Sequence, residues 1–218
     1  AHRPIVREVN AVFDFIEKPY TPVNFKELLV SPNDMRKRLI TLINKEIKNK
    51  EQGKDAYILA KVNHITDRAL IEKLYEASAA GVKIELVVRG NCSLVPAVPG
   101  VSENIHINGI IDRYLEHSRI FIFANGGEEK YYIGSADWMP RNLDNRIEVL
   151  APVYDKEIQA DLKRIVCYGF QDTAKGRIVD GMGTNQAWNF PFTPPLDEKT
   201  ISPFRSQEKL YNEYKNTL

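Results

Sequence analysis

Two short apolar runs constrain this chain more than any other feature. "AYILAKVNHI" (56–65) and "VKIELVVRG" (82–90) flank "TDRALIEKLYEASAAG" (66–81), whose apolar residues recur at helical spacing. A strand, a helix and a strand this close together imply a parallel pair joined by a right-handed crossover. The second run is apolar enough for a central strand covered on both faces. Thr66 is placed to cap the helix and Gly81 to end it. Open α/β sheets collect ligands at the carboxyl ends of such strands, and "LVVRG" delivers Arg89 there.

The remaining elements follow from local signals. "AHRPIVREVNAVFDFIEKPY" has a helical period in Val6, Val9, Phe13 and Ile16, ended by Pro19 and Pro22. "NFKELLVSP" reads as a short strand. "SPNDMRKRLITLINKEIKNKEQGK" reads as a helix, with Ser31 as its cap, Pro32 in its first turn and a solvated lysine face. "IHINGIID", "RIFIFA", "KYYIGSA" and "RIEVLAPV" are strands, the middle two joined by Asn125-Gly126-Gly127, a strong hairpin signal. "DKEIQADLKRIVCYGF" is a further helix. The expected fold is α/β, a mixed sheet flanked by helices on both faces. Residues 1–170 form its body, and 171–218 are a surface-hugging or flexible arm ending in a short helix.

Composition narrows the classes. The 218 residues carry a formal charge of +1, so no global field draws nucleic acid or a membrane, and an anion site must be a local cluster. Cys92 and Cys167 form no CxxC, which argues against zinc and a disulfide scaffold and for a reducing compartment. No apolar run approaches ~20 residues, so no membrane span is expected. A start at Ala1 without Met and without a signal peptide's apolar stretch suggests a piece of a longer protein.

Chemistry concentrates between Asp112 and Val149. "DRYLEHSR" supplies Arg113, His117 and Arg119, and "GSADWMPRNLDNR" supplies Ser135, Asp137, Arg141 and Arg146. Planar guanidinium forks suit phosphate oxygens. A histidine among arginines is held neutral by like-charge repulsion, and a neutral imidazole can accept a proton or attack phosphorus. The competing reading is a set of ordinary ion pairs with Asp112, Glu116, Asp137, Asp144 and Glu148. His2, His64 and His106 are isolated and read as structural or uninformative. The G-x-G at Asp180–Gly183 has Gln186 at the third glycine position and no clear strand before it.

The spacing His117-Ser118-Arg119, then Gly134-Ser135-Ala136-Asp137, then Asn145-Arg146-Ile147-Glu148 resembles the phospholipase D superfamily pattern. It departs from H-x-K-x4-D and from the Asn after the Gly-Ser step. Arg119 replaces Lys, Ala124 stands where Asp is expected, and Asp137 takes the place of Asn. Longer blocks, among them "LVVRGNCSLVPAVPGVSENI", "IIDRYLEHSRIFIFANGG" and "YIGSADWMPRNLDNRIEVLAPV", look like the C-terminal region of bacterial polyphosphate kinase of the first family. That resemblance implies a phospholipase-D-like catalytic domain over residues 1–170. It implies reversible transfer of the ATP γ-phosphoryl group to polyphosphate through a phosphohistidine on an upstream domain. By the same resemblance His117 is the catalytic partner imidazole and contacts ATP together with Arg89. Arg113, Arg119 and Arg141 are candidate phosphate ligands, and Lys61 and Arg146 weaker ones, one or two of which should prove ion-paired. ATP, ADP, polyphosphate and the upstream domains are the implied partners, with Mg2+ ligands outside this chain and no metal site within it. The parent is expected to be a homo-oligomer that is cytoplasmic, or peripheral to the membrane, and the chain alone inactive. The alternatives are a dimerising phosphodiesterase or nuclease, and a non-catalytic anion-binding module.

Overall fold

A computed structural model describes residues 2–188 and 203–215. The crossover unit is present as expected. Strand β2 (Tyr57–Val62), helix α3 (Arg68–Ala79) and strand β3 (Lys83–Val88) follow in order, and β2 and β3 pair in parallel from Tyr57↔Lys83 to Val62↔Val88. Strand β4 (Ile105–Ile110) lies parallel to β3. On the other side of β2 the direction reverses. Strands β5 (Ile120–Phe123), β6 (Lys130–Gly134) and β7 (Glu148–Val153) run antiparallel to their neighbours, and β1 (Leu29–Ser31) closes that edge. Strand β8 (Gly176–Ile178), which no periodicity announces, adds the opposite edge beside β4. The sheet order is β1-β7-β6-β5-β2-β3-β4-β8.

Strand alternation distributes the core to both faces. Ile58, Ala60 and Val62, with Ile84, Leu86 and Val88, pack in one cluster with helix α2 (Met35–Glu51) through Met35, Leu39 and Ile43, and with α3 through Leu70 and Leu74. Leu59, Ile120, Ile122 and Tyr131 belong to a second cluster with Val166 of helix α5 (Lys156–Gln171). Val87 and Ile110 continue it toward Phe170 and Trp188.

Three local expectations need correction. The cap of α3 is Asp67, not Thr66. Its Oδ1 accepts the N–H of Leu70 at 3.1 Å, and its Oδ2 takes Arg36 Nη2 of α2 at 2.8 Å, a contact that a threonine hydroxyl could not match in charge. Ser31 does not cap α2, which starts after Asp34. Its hydroxyl lies buried in β1, close to the carbonyls of Asn142 at 2.8 Å and Arg146 at 2.9 Å, and accepts Glu148 N–H at 3.2 Å. The stripe Val6, Val9, Phe13, Ile16 of helix α1 (Arg3–Glu17) is 47, 41, 64 and 51 % exposed. The helix has a second apolar face, and Val12 and Phe15 are the residues it buries.

Candidate active site

The topology brings one end of the sheet together. Strands β2, β3 and β4 end there, β5 and β7 begin there, and β6 ends there. Asn63 and His64 therefore follow β2, Arg89 follows β3, Arg113 to Arg119 lead into β5, and Ser135 to Asp137 follow β6. Gly134 makes this last turn. A Cβ on it would collide with the Val149 carbonyl of β7, so the Ser135–Asp137 loop leaves β6 at a point where only glycine fits.

Asp137 organises the centre. It is 4 % exposed and accepts the backbone N–H of Asn63 at 2.9 Å and of His64 at 3.2 Å. Its Oδ2 takes Arg119 Nη2 at 2.9 Å. Burial alone would raise this carboxyl, but the Arg119 pairing and the two amides outweigh it and hold it below the usual carboxylate range. Arg119 and Asp137, the two positions at which the resemblance departs from Lys and Asn, thus pair with each other. Ala124 is buried at the far end of β5, away from this cluster.

Arg119 Nη2 also lies 3.1 Å from His117 Nε2. A guanidinium can only donate, so this Nε2 accepts, and the imidazole proton sits on Nδ1. Desolvation, then the charges of Arg119 and Arg89, push His117 below its ordinary value, with Asp137 opposing and His64 adding to the fall. His117 is a neutral, exposed imidazole whose free donor is Nδ1–H.

Arg89 forms no ion pair among the described residues, and its Nε donates to Asn63 Oδ1 at 2.6 Å. With Lys61, Asn63, Arg113, Ser118 and Gln207 it lines a cavity of about 240 Å³. Arg113 stacks its guanidinium 5.4 Å from the Tyr114 ring centroid and forms no ion pair among the described residues. Lys61 is buried and paired with Glu116, and Arg146 Nη1 lies 3.8 Å from Glu148. Arg141 sits exposed on helix α4 (Pro140–Asp144) and does not line the cavity. Among the described residues no group of three or more His, Cys, Asp or Glu side chains is arranged to hold a metal ion.

His64 Nδ1 accepts Asn91 N–H at 2.9 Å, stitching the loop after β2 to the loop after β3. A Cβ on Gly90 would land on this ring, so the glycine makes room for the imidazole. Two groups of site residues escaped the sequence reading. Lys175 and Arg177 join Arg89 around a neighbouring cavity of about 480 Å³. Helix α6 (Ser206–Lys215) grips the His117 loop. Gln207 Oε1 accepts Tyr114 N–H at 2.8 Å, its Nε2 donates to the Tyr114 carbonyl at 2.9 Å, and Arg205 Nη2 pairs with Asp112 at 2.6 Å. No periodicity or motif marks such contacts, because they join residues about 93 positions apart.

The open mixed sheet with helices on both faces and polar loops at one end has a phospholipase-D-like fold. A phospholipase D family member, Nuc from Salmonella typhimurium, superposes with a TM-score of 0.51 at 12 % identity, covering 71 % of this chain and 97 % of that one. At that identity the likeness speaks for fold alone. The family model described as "Polyphosphate kinase C-terminal domain 2" matches residues 28–195, and the chain belongs to that family. Polyphosphate kinase from Vibrio cholerae is 45 % identical over 99 % of this chain, and that of Escherichia coli K12 is 47 % identical over 81 %. The crystal structure of polyphosphate kinase from Porphyromonas gingivalis matches with a TM-score of 0.88 at 38 % identity, covering all of this chain. The chain spans only 30 % and 26 % of the two curated relatives and 32 % of the solved one.

Proposed function

We propose that this chain supplies half of a polyphosphate kinase active site, the half that grips ATP and polyphosphate while a histidine on an upstream domain carries the phosphoryl group. The observation that carries this reading is an Arg89 with no ion pair among the described residues, beside a neutral His117 at the ligand-collecting end of the sheet. In the forward step the upstream imidazole attacks the γ-phosphorus, the bond to the β-γ bridging oxygen breaks, and ADP leaves. In the second step a terminal polyphosphate oxygen attacks that phosphorus and releases the imidazole.

Arg89 would hold phosphate oxygens as charge spreads over them. His117 would donate from Nδ1–H to the leaving or entering phosphate oxygen. Its Nε2 lone pair is engaged by Arg119, which favours the donor role over that of nucleophile. Arg113 lies along the same cavity, and Lys175 and Arg177 extend the basic surface beyond Arg89 as a path for the polymer. Asp137 is committed to Arg119, Glu116 to Lys61 and Asp112 to Arg205, so these acids do not fit Mg2+, whose ligands in the intact enzyme would lie outside this chain.

Turnover of His117→Ala and His117→Gln in the intact enzyme, with melting temperature as the folding control and mass mapping of phosphohistidine, tests the assignment. Loss of a positioned acid–base group costs roughly a hundred- to ten-thousandfold, and glutamine should not restore it fully. Near-normal turnover of His117→Ala would make the residue structural, and phosphate found mainly on His117 would reverse the two imidazoles' roles.

A further inference from the structure

Among the described residues nothing satisfies one side-chain atom of Asn63. The residue is 1 % exposed. Its backbone is fixed from two directions, the N–H donating to Asp137 Oδ1 at 2.9 Å and the carbonyl accepting Gly90 N–H at 2.8 Å. Its Oδ1 accepts Arg89 Nε at 2.6 Å. Because a guanidinium only donates, the amide cannot be turned over, and it is Oδ1, not Nδ2, that faces Arg89 Nε. That Nδ2 is buried without a hydrogen-bond partner among the described residues.

Buried donors are almost always paired, so an orphan in a well-ordered site calls for an acceptor from outside the protein. Asn63 lines the cavity shared by Lys61, Arg89, Arg113 and Ser118. Lys61 is already spent on Glu116, whereas Arg89 has used only its Nε. The acceptor that suits an amide N–H beside open guanidinium nitrogens is an anionic oxygen.

We propose that Asn63 is a phosphate ligand, its Nδ2 donating to a phosphoryl oxygen held by the Nη groups of Arg89. The proposal rests on the reading of this edge as a phosphate site and names a binding residue within it. One side chain then performs two tasks. Its oxygen fixes the plane of the Arg89 fork, and its nitrogen extends the row of donors by one.

The test uses this chain and inorganic tripolyphosphate. Side-chain amide and Arg89 Nε signals are followed by 1H–15N NMR during titration, the Asn63 pair being assigned by its absence in Asn63→Asp. The expected result is a saturable shift of the Asn63 NH2 pair with the same midpoint as Arg89 Nε. Asn63→Asp keeps an acceptor for Arg89 and removes the donor. It should keep the melting temperature and weaken tripolyphosphate binding by about ten- to a hundredfold, the worth of a hydrogen bond to a charged group. Asn63→Ala should bind at least as poorly. If Arg89 moves while the Asn63 pair stays still, a water satisfies Nδ2 and the proposal falls while the phosphate site stands. Weak binding by Asn63→Ala with normal binding by Asn63→Asp would mean that the residue only orients Arg89, and would also overturn it. If no signal at this edge moves up to millimolar tripolyphosphate, the phosphate reading falls with it.

Discussion

A carboxylic acid kept from water makes stability depend on pH. Glu46 of α2 is fully buried, its Oε1 accepts Asn125 N–H at 2.7 Å, and its Oε2 has no partner among the described residues. Burial, only partly offset by that amide and by Lys45 and Lys130, pushes it from 4.5 up to about 7. The folded value lies above the unfolded one, so stability is full below about 4.5 and declines until about pH 7. The loss is at most about 3 kcal/mol, taking each unit as 1.36 kcal/mol. Glu46→Gln should therefore melt higher than wild type at pH 8 and depend less on pH between 5 and 8. A wild-type melting temperature that stays flat over that range would contradict the burial argument. Arg89 is the residue where charge and shape can be separated. In the intact enzyme Arg89→Ala should slow transfer on the order of a hundredfold, and Arg89→Lys should also impair it, because lysine keeps the charge and loses the fork. A lysine variant that behaves as wild type would reduce Arg89 to a general positive charge. Arg89 and His117 were legible in the sequence because charged residues at a strand end stand out against an apolar run. Asn63 was not, since an asparagine after a strand reads as a turn until its amide is seen buried and half satisfied.

Among the elements, α6 has the least sequence signal and a direct hold on the site. It is ten residues long and too short to be stable alone. Its anchorage is tertiary, with Ser206 bonded to the buried Asp172 at 2.7 Å through N–H and 2.6 Å through its hydroxyl, Gln207 on Tyr114, and Tyr211 stacked on Tyr114 at 6.4 Å. Gln207→Ala should leave the sheet intact and loosen the His117 loop. Amide hydrogen exchange should rise at Tyr114 and its neighbours while the protection of β2 and β3 is kept. Unchanged exchange across residues 112–118 would show that the loop holds itself. At the other flank, Gly134→Ala should be strongly destabilising, by several kcal/mol, because strand β7 blocks the new methyl and neither strand can move without breaking its ladder. Thermal melting checks this, and a variant within about 1 kcal/mol of wild type would mean that the β6–β7 edge yields more easily than its spacing implies. Strands β2 to β7 were readable because each is a bounded apolar run. Strand β8, at three residues, was not, since it owes its place to pairing with β4.

For the molecule as a whole, the sequence conveyed the order of elements and the two-faced sheet, since alternating runs and helical periods are local properties. It could not convey which face of α1 turns inward, because that helix has two apolar faces and only packing chooses between them. The result is an exposed stripe in which Phe13 alone is 64 % open to solvent. Phe13→Lys should raise the solubility of the isolated chain and change its stability by less than about 1 kcal/mol, as expected for a surface position. Light scattering and thermal melting of the two proteins check it, and a large loss of stability would mean that Phe13 packs in solution. The same global view reveals a practical polarity. Asparagine, arginine and histidine loops crowd one end of the sheet, whereas the turn between α2 and β2 belongs to the other. Gly53 in that turn has φ +69 and nothing within 4 Å of where a Cβ would stand. A tether built into Gln52–Lys54 would fix the molecule to a bead or sensor chip by its opposite end and leave the basic edge facing free solution.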